Sequence, residues 1–245
     1  MKKAIFLFVI IIPGLIFARA DTLSEGITLD RFPNSSRIAI SGGVNVSRTL
    51  LKNVDFEYPE LAIARFSGGI TFDQQFSPQW FLSTGLLYEQ KGYKREYYRM
   101  NNEGKPTGDP LKTRVVLNYF TLPLLINLQT TGKVRYYFGA GIYTSLLAEA
   151  YALEPHFDAD ITVPPWKWET TGFAKRDMSR NFTAMDFGVS LQTGLHTVVY
   201  DPFVAGFRVA FSHGLLSVTA REQGLGDIQY VNRSLLITAS LGYRF

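Results

Sequence analysis

Apolar and polar residues alternate along most of the chain. The clearest stretch is residues 182–195, where Met185 and Phe187 alternate with Asp186 and Gly188. Successive side chains of a strand point to opposite faces, so this period of two predicts strands with one apolar face and one small or polar face. The same pattern predicts eight strands, at residues 37–46, 63–73, 80–91, 115–127, 135–147, 182–195, 203–212 and 233–245.

The connections between these segments are alternately short and long. The short ones contain turn-forming residues and lie at 74–79, 129–133 and 199–202. The long ones lie at 47–61, 92–114, 149–181 and 213–232. An even number of strands with alternating connections is typical of closed bacterial outer-membrane barrels, whose short turns are periplasmic. The sequence therefore predicts an all-β fold: an eight-stranded antiparallel transmembrane β-barrel, an up-and-down meander with short periplasmic turns and long extracellular loops.

The composition of the polar face indicates that it points into the barrel and that the apolar face points towards lipid. It consists of Gly, Ser, Thr, Asn and single charges, which are too small and polar to form the dry core of a soluble barrel. An eight-stranded barrel is just wide enough to be filled by side chains, so we expect a plugged polar interior. We expect an interior polar network of Arg65, Glu89, Asp186, Arg208 and Arg244. Centring the second turn near Ser77 predicts that Arg65 lies opposite Glu89.

The first twenty residues have the layout of a secretory signal peptide. Lys2 and Lys3 precede an apolar run, and Ala18-Arg19-Ala20 forms an A-x-A cleavage site. Three of the net +4 charges lie in this leader, so the sequence pI of about 9.2 is no reason to expect a nucleic-acid partner, and none is predicted. The absence of cysteine excludes a disulfide framework. We predict export to the outer membrane of a Gram-negative bacterium, with a signal peptide at 1–20, a periplasmic lead-in at 21–36 and the barrel domain at 37–245.

Several motifs resemble the PorT-like outer-membrane β-barrel family. They are Tyr119-Phe120-Thr121-Leu122-Pro123-Leu124-Leu125, Tyr137-Phe138-Gly139-Ala140-Gly141, Asp186-Phe187-Gly188, the strand around Gly206, and the terminal Leu241-Gly242-Tyr243-Arg244-Phe245. The resemblance covers essentially all of the chain after the leader. It implies an eight-stranded barrel in the outer membrane, and a few members are linked to protein secretion machinery. Thr121 stands where that family often has a carboxylate. The resemblance supplies no catalytic residue.

An enzyme is the least favoured reading of the sequence. Some outer-membrane barrels hydrolyse lipids, and His213 beside Ser212 at the end of a strand is the nearest candidate. The chain lacks the His-x-Ser pair of lipid A deacylases. His156 lies among Glu154, Asp158 and Asp160, but flexible acidic loops are common, and no metal site is assigned. We therefore predict no catalytic residue, no metal and no cofactor.

The predicted loops carry the better binding candidates. Lys91, Lys94, Arg95 and Arg99 interleave with tyrosines where the third strand leaves the bilayer, and cations there could contact lipopolysaccharide phosphates. An ordinary aromatic girdle with snorkelling lysines is the alternative. In the third long loop, Trp166 and Trp168 follow two prolines; they could stack on a glycan or protein partner, or pack the loop over the barrel.

The function predicted from these patterns is that of a non-enzymatic barrel acting through its extracellular loops. Its role would be structural, surface-binding or secretion-accessory. A narrow channel is the alternative, and a lipid-modifying enzyme is less favoured. The predicted partners are outer-membrane lipid and lipopolysaccharide, the barrel-assembly machinery through the C-terminal strand ending in Phe245, and a surface or secretion partner.

Overall fold

A computed structural model describes residues 35–52, 60–100, 106–160, 167–219 and 229–245. Within these ranges the chain forms nine strands and a short 3-10 helix at Ser179–Asn181. The strands are β1 Ser36–Lys52, β2 Ile63–Gln75, β3 Trp80–Met100, β4 Pro106–Gln129, β5 Val134–Asp160, β6 Lys167–Asp177, β7 Met185–Tyr200, β8 Phe203–Gly214 and β9 Gln229–Arg244. In the described ranges no helix is both long and apolar enough to cross a membrane.

Eight of the strands close into a ring of antiparallel neighbours. Each ring strand pairs with the next, except that β5 pairs with β7, and β9 returns to β1 with Ile38 opposite Tyr243. Closure leaves the ring without a free edge, as a barrel in lipid requires. This confirms the eight-stranded antiparallel barrel predicted from the alternation. The short turns, the start of β1 and the end of β9 lie at one end of the barrel, called the turn end. The opposite end is called the loop end.

The strands extend much farther at the loop end than the sequence pattern predicts. Residues 92–100, 106–114 and 149–160 were expected to be loop but continue β3, β4 and β5. The ninth strand, β6, is also unpredicted and pairs with the distal half of β5, Tyr151 opposite Asp177. Outside the bilayer these segments do not need an apolar face, so they lack the alternation that marks the membrane strands.

A continuous apolar band surrounds the ring. In β4 the outward residues Phe120, Leu122, Leu124 and Ile126 are each about half exposed, as the predicted face requires. Eight residues of strand at about 3.4 Å each, tilted by about 40°, give a band about 21 Å tall from Phe120 to Leu128. Just beyond it on β3, β4 and β5, Gln90, Asn118 and Glu149 form outward hydrogen bonds. The polar row marks the upper limit of the lipid-facing surface.

The register of β2 and β3 differs from the prediction. Glu89 lies opposite Ser67, and Arg65 lies opposite Asn45 of β1, so the predicted Arg65–Glu89 pair does not form. The turn is centred one position later than Ser77, and in an antiparallel pair that shift moves each partner by two residues. Parity is unaffected, so Glu89 still points inward, where it is buried.

Candidate functional site

A buried group of charges occupies the barrel interior near its loop end. The ammonium of Lys91 lies 3.1 Å from Glu89 Oε2 and 3.7 Å from Asp186 Oδ2. The three side chains are almost completely withdrawn from solvent, with 1% of Lys91 and none of Asp186 exposed. Glu89 and Lys91 are two positions apart on β3 and therefore share its inward face, and Asp186 lies on the inward face of β7. We call Lys91, Glu89 and Asp186 the lumen charge cluster.

Neutral polar groups complete the hydrogen bonding of both carboxylates. Thr121 Oγ1 donates to Glu89 Oε2 at 3.0 Å and is itself 2.8 Å from Ser145 Oγ. Asn232 Nδ2 donates to Asp186 Oδ2 at 3.0 Å. Charges buried in a protein are tolerated when they are paired and hydrogen-bonded in this way. The partners come from β4, β5 and β9, so the cluster ties opposite walls of the barrel together.

Two inward tyrosines surround the lysine. The Lys91 ammonium lies 4.6 Å from the centroid of the Tyr143 ring and 5.3 Å from that of Tyr119. Both distances are within the range of cation–π attraction. Tyr143 fits because Gly188 on β7 has no side chain: a Cβ there would lie 2.7 Å from the Tyr143 ring. The glycine therefore opens the space into which the aromatic ring packs.

The loop end above the cluster is closed by an apolar layer. Inward residues of β3, β4 and β5 pack with two residues from the connections before β7 and after β8, Phe182 and Val218. Those connections are held together by backbone hydrogen bonds, Thr183 N to Val218 O at 2.8 Å and Val218 N to Tyr230 O at 2.8 Å. We call this layer the apolar cap. Its buried members are Tyr93, Val115, Leu117, Tyr119, Ala150, Ala152, Phe182 and Val218.

Side chains also occupy the lumen below the charge cluster, around a small cavity lined by residues that include Phe81, Tyr137 and Arg208. Leu87, which interrupts the alternation of its segment, points inward and packs with Ala210 and Leu236. Nearer the turn end, Phe81 and Tyr137 meet edge to face with ring centroids 5.5 Å apart. Among the described side chains, those in the interior thus occupy successive levels from the turn end to the cap.

A hydrogen-bonded chain crosses the barrel near the level of Phe81. Gln192 Nε2 donates to Asn127 Oδ1 at 2.6 Å, and Asn127 Nδ2 donates to Ser83 Oγ at 3.1 Å. Ser83 in turn donates to Asp73, which also accepts from Arg37 Nε at 2.8 Å. These contacts link β7, β4, β3, β2 and β1. They join the strands across the lumen as well as around the wall.

The five residues predicted to form one interior network are divided among four places. Glu89 and Asp186 belong to the lumen charge cluster, joined through Lys91. Arg208 lies nearer the turn end, where its Nε donates to Thr238 Oγ1 at 3.3 Å. Arg244 lies at the turn end, its Nη2 2.8 Å from Asp201 Oδ1. Arg65 is half-buried on the inward face of β2.

The predicted lipopolysaccharide contacts also divide. The prediction that Lys91 contacts lipid headgroups is wrong, because its ammonium lies inside the barrel. Lys94 Nζ lies 2.7 Å from Glu96 Oε1, so it already has a carboxylate partner. Arg99 belongs to β3, and its side chain lies outside the described part of the structure.

Arg95 is held by an acidic partner and an aromatic ring. Its Nη2 is 2.7 Å from Glu60 Oε1, and its guanidinium stacks 4.8 Å from the Tyr93 ring centroid. Burial raises the pKa of Glu60, while the hydrogen bond and charge of Arg95 lower it. The guanidinium therefore fixes the segment before β2 against β3.

The remaining candidates lie in or near the extended hairpins. Trp166 and the leader at 1–20 lie outside the described residues, as does the lead-in apart from its last two residues. Trp168 lies in β6 opposite Ala159, and its side chain lies outside the described part of the structure. In the described ranges, no group of three or more His, Asp or Glu side chains is arranged to hold a metal ion.

Sequence reasoning missed that Lys91 joins Glu89 and Asp186. The signal was present, because the alternation of the third segment places both Glu89 and Lys91 inward. Two inward residues on one strand are neighbours along the same face, about 7 Å apart. An inward lysine needs a carboxylate partner, and Glu89, two positions earlier on the same face, supplies one.

The sequence profile of the outer membrane protein beta-barrel domain matches residues 24–219. Among solved structures, the chain is similar to OprG of Pseudomonas aeruginosa, with 12% identity, 86% of this chain and 97% of that chain covered, and a TM-score of 0.43. It is also similar to Ail of Yersinia pestis, solved with the heparin analogue sucrose octasulfate, with 12% identity, 86% and 99% covered, and a TM-score of 0.37. Values this low support no argument about what this chain binds.

No curated protein matches the chain in sequence. The domain profile covers most of the chain, and the ring of antiparallel strands with its apolar outer band is the architecture that the profile describes. These findings place the protein in the outer membrane of a Gram-negative bacterium. The chain belongs to the outer membrane protein beta-barrel domain family.

Proposed function

We propose that this protein is a non-enzymatic outer-membrane barrel with a closed lumen. It acts through its loop-end extension, which consists of β6 and the parts of β3, β4 and β5 that continue beyond the polar row. The observation that carries the proposal is the filling of the interior by the lumen charge cluster, the apolar cap and the layers below them. A closed lumen leaves the surfaces beyond the bilayer as the place where the molecule meets partners. Because short turns are periplasmic in such barrels, the loop end is extracellular.

The extension is an ordered β-structure that reaches beyond the membrane. Its distal strands pair closely, and Arg176 Nη2 lies 2.8 Å from Glu154 Oε1 across β5 and β6. Lys175 pairs with Glu149 in the same sheet. A sheet of this kind presents a defined surface, which suits a structural, surface-binding or secretion-accessory role. Trp166 and Trp168, which follow two prolines in the sequence, would serve a glycan or protein contact.

The PorT-like assignment belongs to this proposal, and with it a role next to secretion machinery. The motifs that carry the resemblance are structural. Phe138 and Phe120 face lipid, whereas Tyr119 and Tyr137 are buried in the interior. The proposed partners are lipopolysaccharide, a surface or secretion partner, and the barrel-assembly machinery acting on the strand that ends in Phe245.

The enzymatic alternative has little geometric support at its nearest candidate. Ser212 points inward, where its hydroxyl donates to Ser190 Oγ at 3.1 Å. His213 is the next residue of the same strand and points outward, where its Nδ1 accepts from Arg233 Nε at 3.1 Å. A general base must reach its nucleophile by a hydrogen bond, and these side chains lie on opposite faces of the wall.

The experiment that tests the proposal removes the extension and keeps the barrel. Residues 154–174 are replaced by a four-residue turn, which leaves the membrane strands and the apolar cap in place. A strain lacking the protein is complemented with either form, and heat-modifiable gel migration checks that both barrels fold. We expect the full chain to correct the defect that deletion of the protein causes, and the shortened chain to leave that defect uncorrected. Full restoration by a folded, shortened barrel would contradict the proposal.

A further inference from the structure

Three basic side chains form one row on the outer wall at the loop end. Arg48 of β1 lies directly opposite Arg233 of β9, and Arg233 lies directly opposite His213 of β8. All three have the outward parity of their strands, since the lipid-facing residues Val44 and Leu235 share it. We call Arg48, Arg233 and His213 the basic row.

The basic row lies immediately above lipid-facing residues. Two positions closer to the turn end on the same three strands are Val46, Leu235 and Phe211, which are themselves paired with one another. Two residues of a tilted strand correspond to about 5 Å along the membrane normal. The basic row therefore stands at the level where acyl chains give way to headgroups on the extracellular side.

The two arginines of the basic row face each other across neighbouring strands. Within the described part of the chain neither Arg48 nor Arg233 has a carboxylate within ion-pair distance. Like charges directly opposite on neighbouring strands are destabilising. Elsewhere at the loop end three cations have carboxylate partners: Lys94 pairs with Glu96, Lys175 with Glu149 and Arg176 with Glu154. An external anion would relieve the repulsion in the basic row.

We propose that the basic row binds the phosphate groups of an anionic lipid in the outer leaflet. A guanidinium offers a planar fork of donors that matches phosphate oxygens, and two facing forks can hold one phosphate between them. The His213 contact orients Arg233 by occupying its Nε, which leaves its terminal nitrogens for the ligand. The apolar residues directly below would contact the acyl chains of the same molecule. A lipid is therefore favoured over a soluble anion.

This site differs from the one predicted from the sequence. The pattern around Lys91, Lys94 and Arg95 placed lipid phosphates beside β3, where the cations have their own partners. The basic row lies on β1, β8 and β9 and includes no residue of that pattern. Its members are far apart in sequence, and only the register of the closing strands brings them together.

The test compares binding of fluorescent bisphosphorylated lipid A by the detergent-solubilised full chain and by the R48Q/R233Q variant. The matched control, K175Q/R176Q, removes the same charge from the loop end at paired residues. Heat-modifiable migration verifies that each barrel is folded. We expect R48Q/R233Q to weaken binding at least about tenfold, because charge-assisted hydrogen bonds are lost, and the control to bind like the wild type.

Competition identifies the source of the phosphate. Dephosphorylated lipid A should compete poorly against the wild type, and inorganic phosphate should compete only at concentrations far above that of the lipid. Equal binding by R48Q/R233Q and the wild type would overturn the proposal. An equal loss of binding in the control would mean that the lipid is attracted non-specifically by charge, which contradicts a site at the basic row. Strong competition by inorganic phosphate would mean that the ligand is a soluble anion and not a lipid.

Discussion

Removing the Lys91 ammonium should cost the barrel much of its stability. In the substitution Lys91→Met the side chain keeps its length and loses the charge, which leaves Glu89 and Asp186 buried without a cation. Breaking a buried ion pair by deleting one partner typically costs about 3–5 kcal/mol. Both carboxylates keep a hydrogen bond of 3.0 Å, from Thr121 and Asn232, so we expect a loss near the lower limit, about 3 kcal/mol.

The assay is urea unfolding of the refolded barrel in lipid vesicles, with the folded fraction read from heat-modifiable gel migration. The triple variant K91M/E89Q/D186N removes all three charges and should recover most of the loss, because neutral groups of similar shape have no uncompensated charge. Lys175→Met is the matched control, since Lys175 pairs with Glu149 at the exposed loop end, and it should leave the unfolding midpoint unchanged. A loss below about 1 kcal/mol for Lys91→Met, or a triple variant no better than the single one, would refute the reasoning.

Three further predictions concern the wall and its end. Gly194→Ala places a Cβ 2.3 Å from a backbone carbonyl oxygen and should lower the free energy of unfolding by about 1–3 kcal/mol, whereas Gly42→Ala, with open space around it, should not change it. Leu124→Arg puts a charge in the lipid-facing band and should cost about 2–4 kcal/mol in vesicles, while Ala174→Arg on the exposed part of β6 should unfold like the wild type. Deleting Phe245 should slow assembly in cells, measured by pulse-labelling, and normal assembly would argue against a role for the terminal aromatic residue.

The barrel was predictable because lipid imposes a strict pattern on the chain. Every residue of the β4 face from Phe120 to Ile126 must be apolar where it meets acyl chains, and its inward neighbours must fit a narrow polar lumen. This requirement acts on each membrane strand separately. Alternation therefore identified all eight ring strands without any knowledge of how they pair.

The extension and the pairings were less accessible, for two physical reasons. β6 and the distal parts of β3 to β5 meet water on their outer face, so their sequences, such as Lys175 and Arg176 beside Ala174, carry no membrane pattern. Pairings across the barrel depend on register, and one residue in the turn after Gln75 was enough to exchange Arg65 for Ser67 as the partner of Glu89.

For the lumen charge cluster, the alternation of the sequence predicts which side chains point inward but not which of them meet across the lumen. It correctly placed Glu89 and Asp186 inward, on strands that are not neighbours. It also placed Lys91 beside Glu89 on the same face, but it could not indicate that Lys91 reaches Asp186, because that contact spans the lumen and requires the closed ring. The basic row likewise requires the β1–β9 closure, which pairs Arg48 with Arg233.

Single-channel conductance of the refolded full chain in planar bilayers tests most directly whether the lumen is closed. Each preparation is first checked for heat-modifiable migration, so that silence comes from folded barrels. Filled levels from Phe81 to the apolar cap predict no steady ion current from the wild type. Stable, sizeable conductance from a folded wild-type barrel would contradict the account and favour the channel.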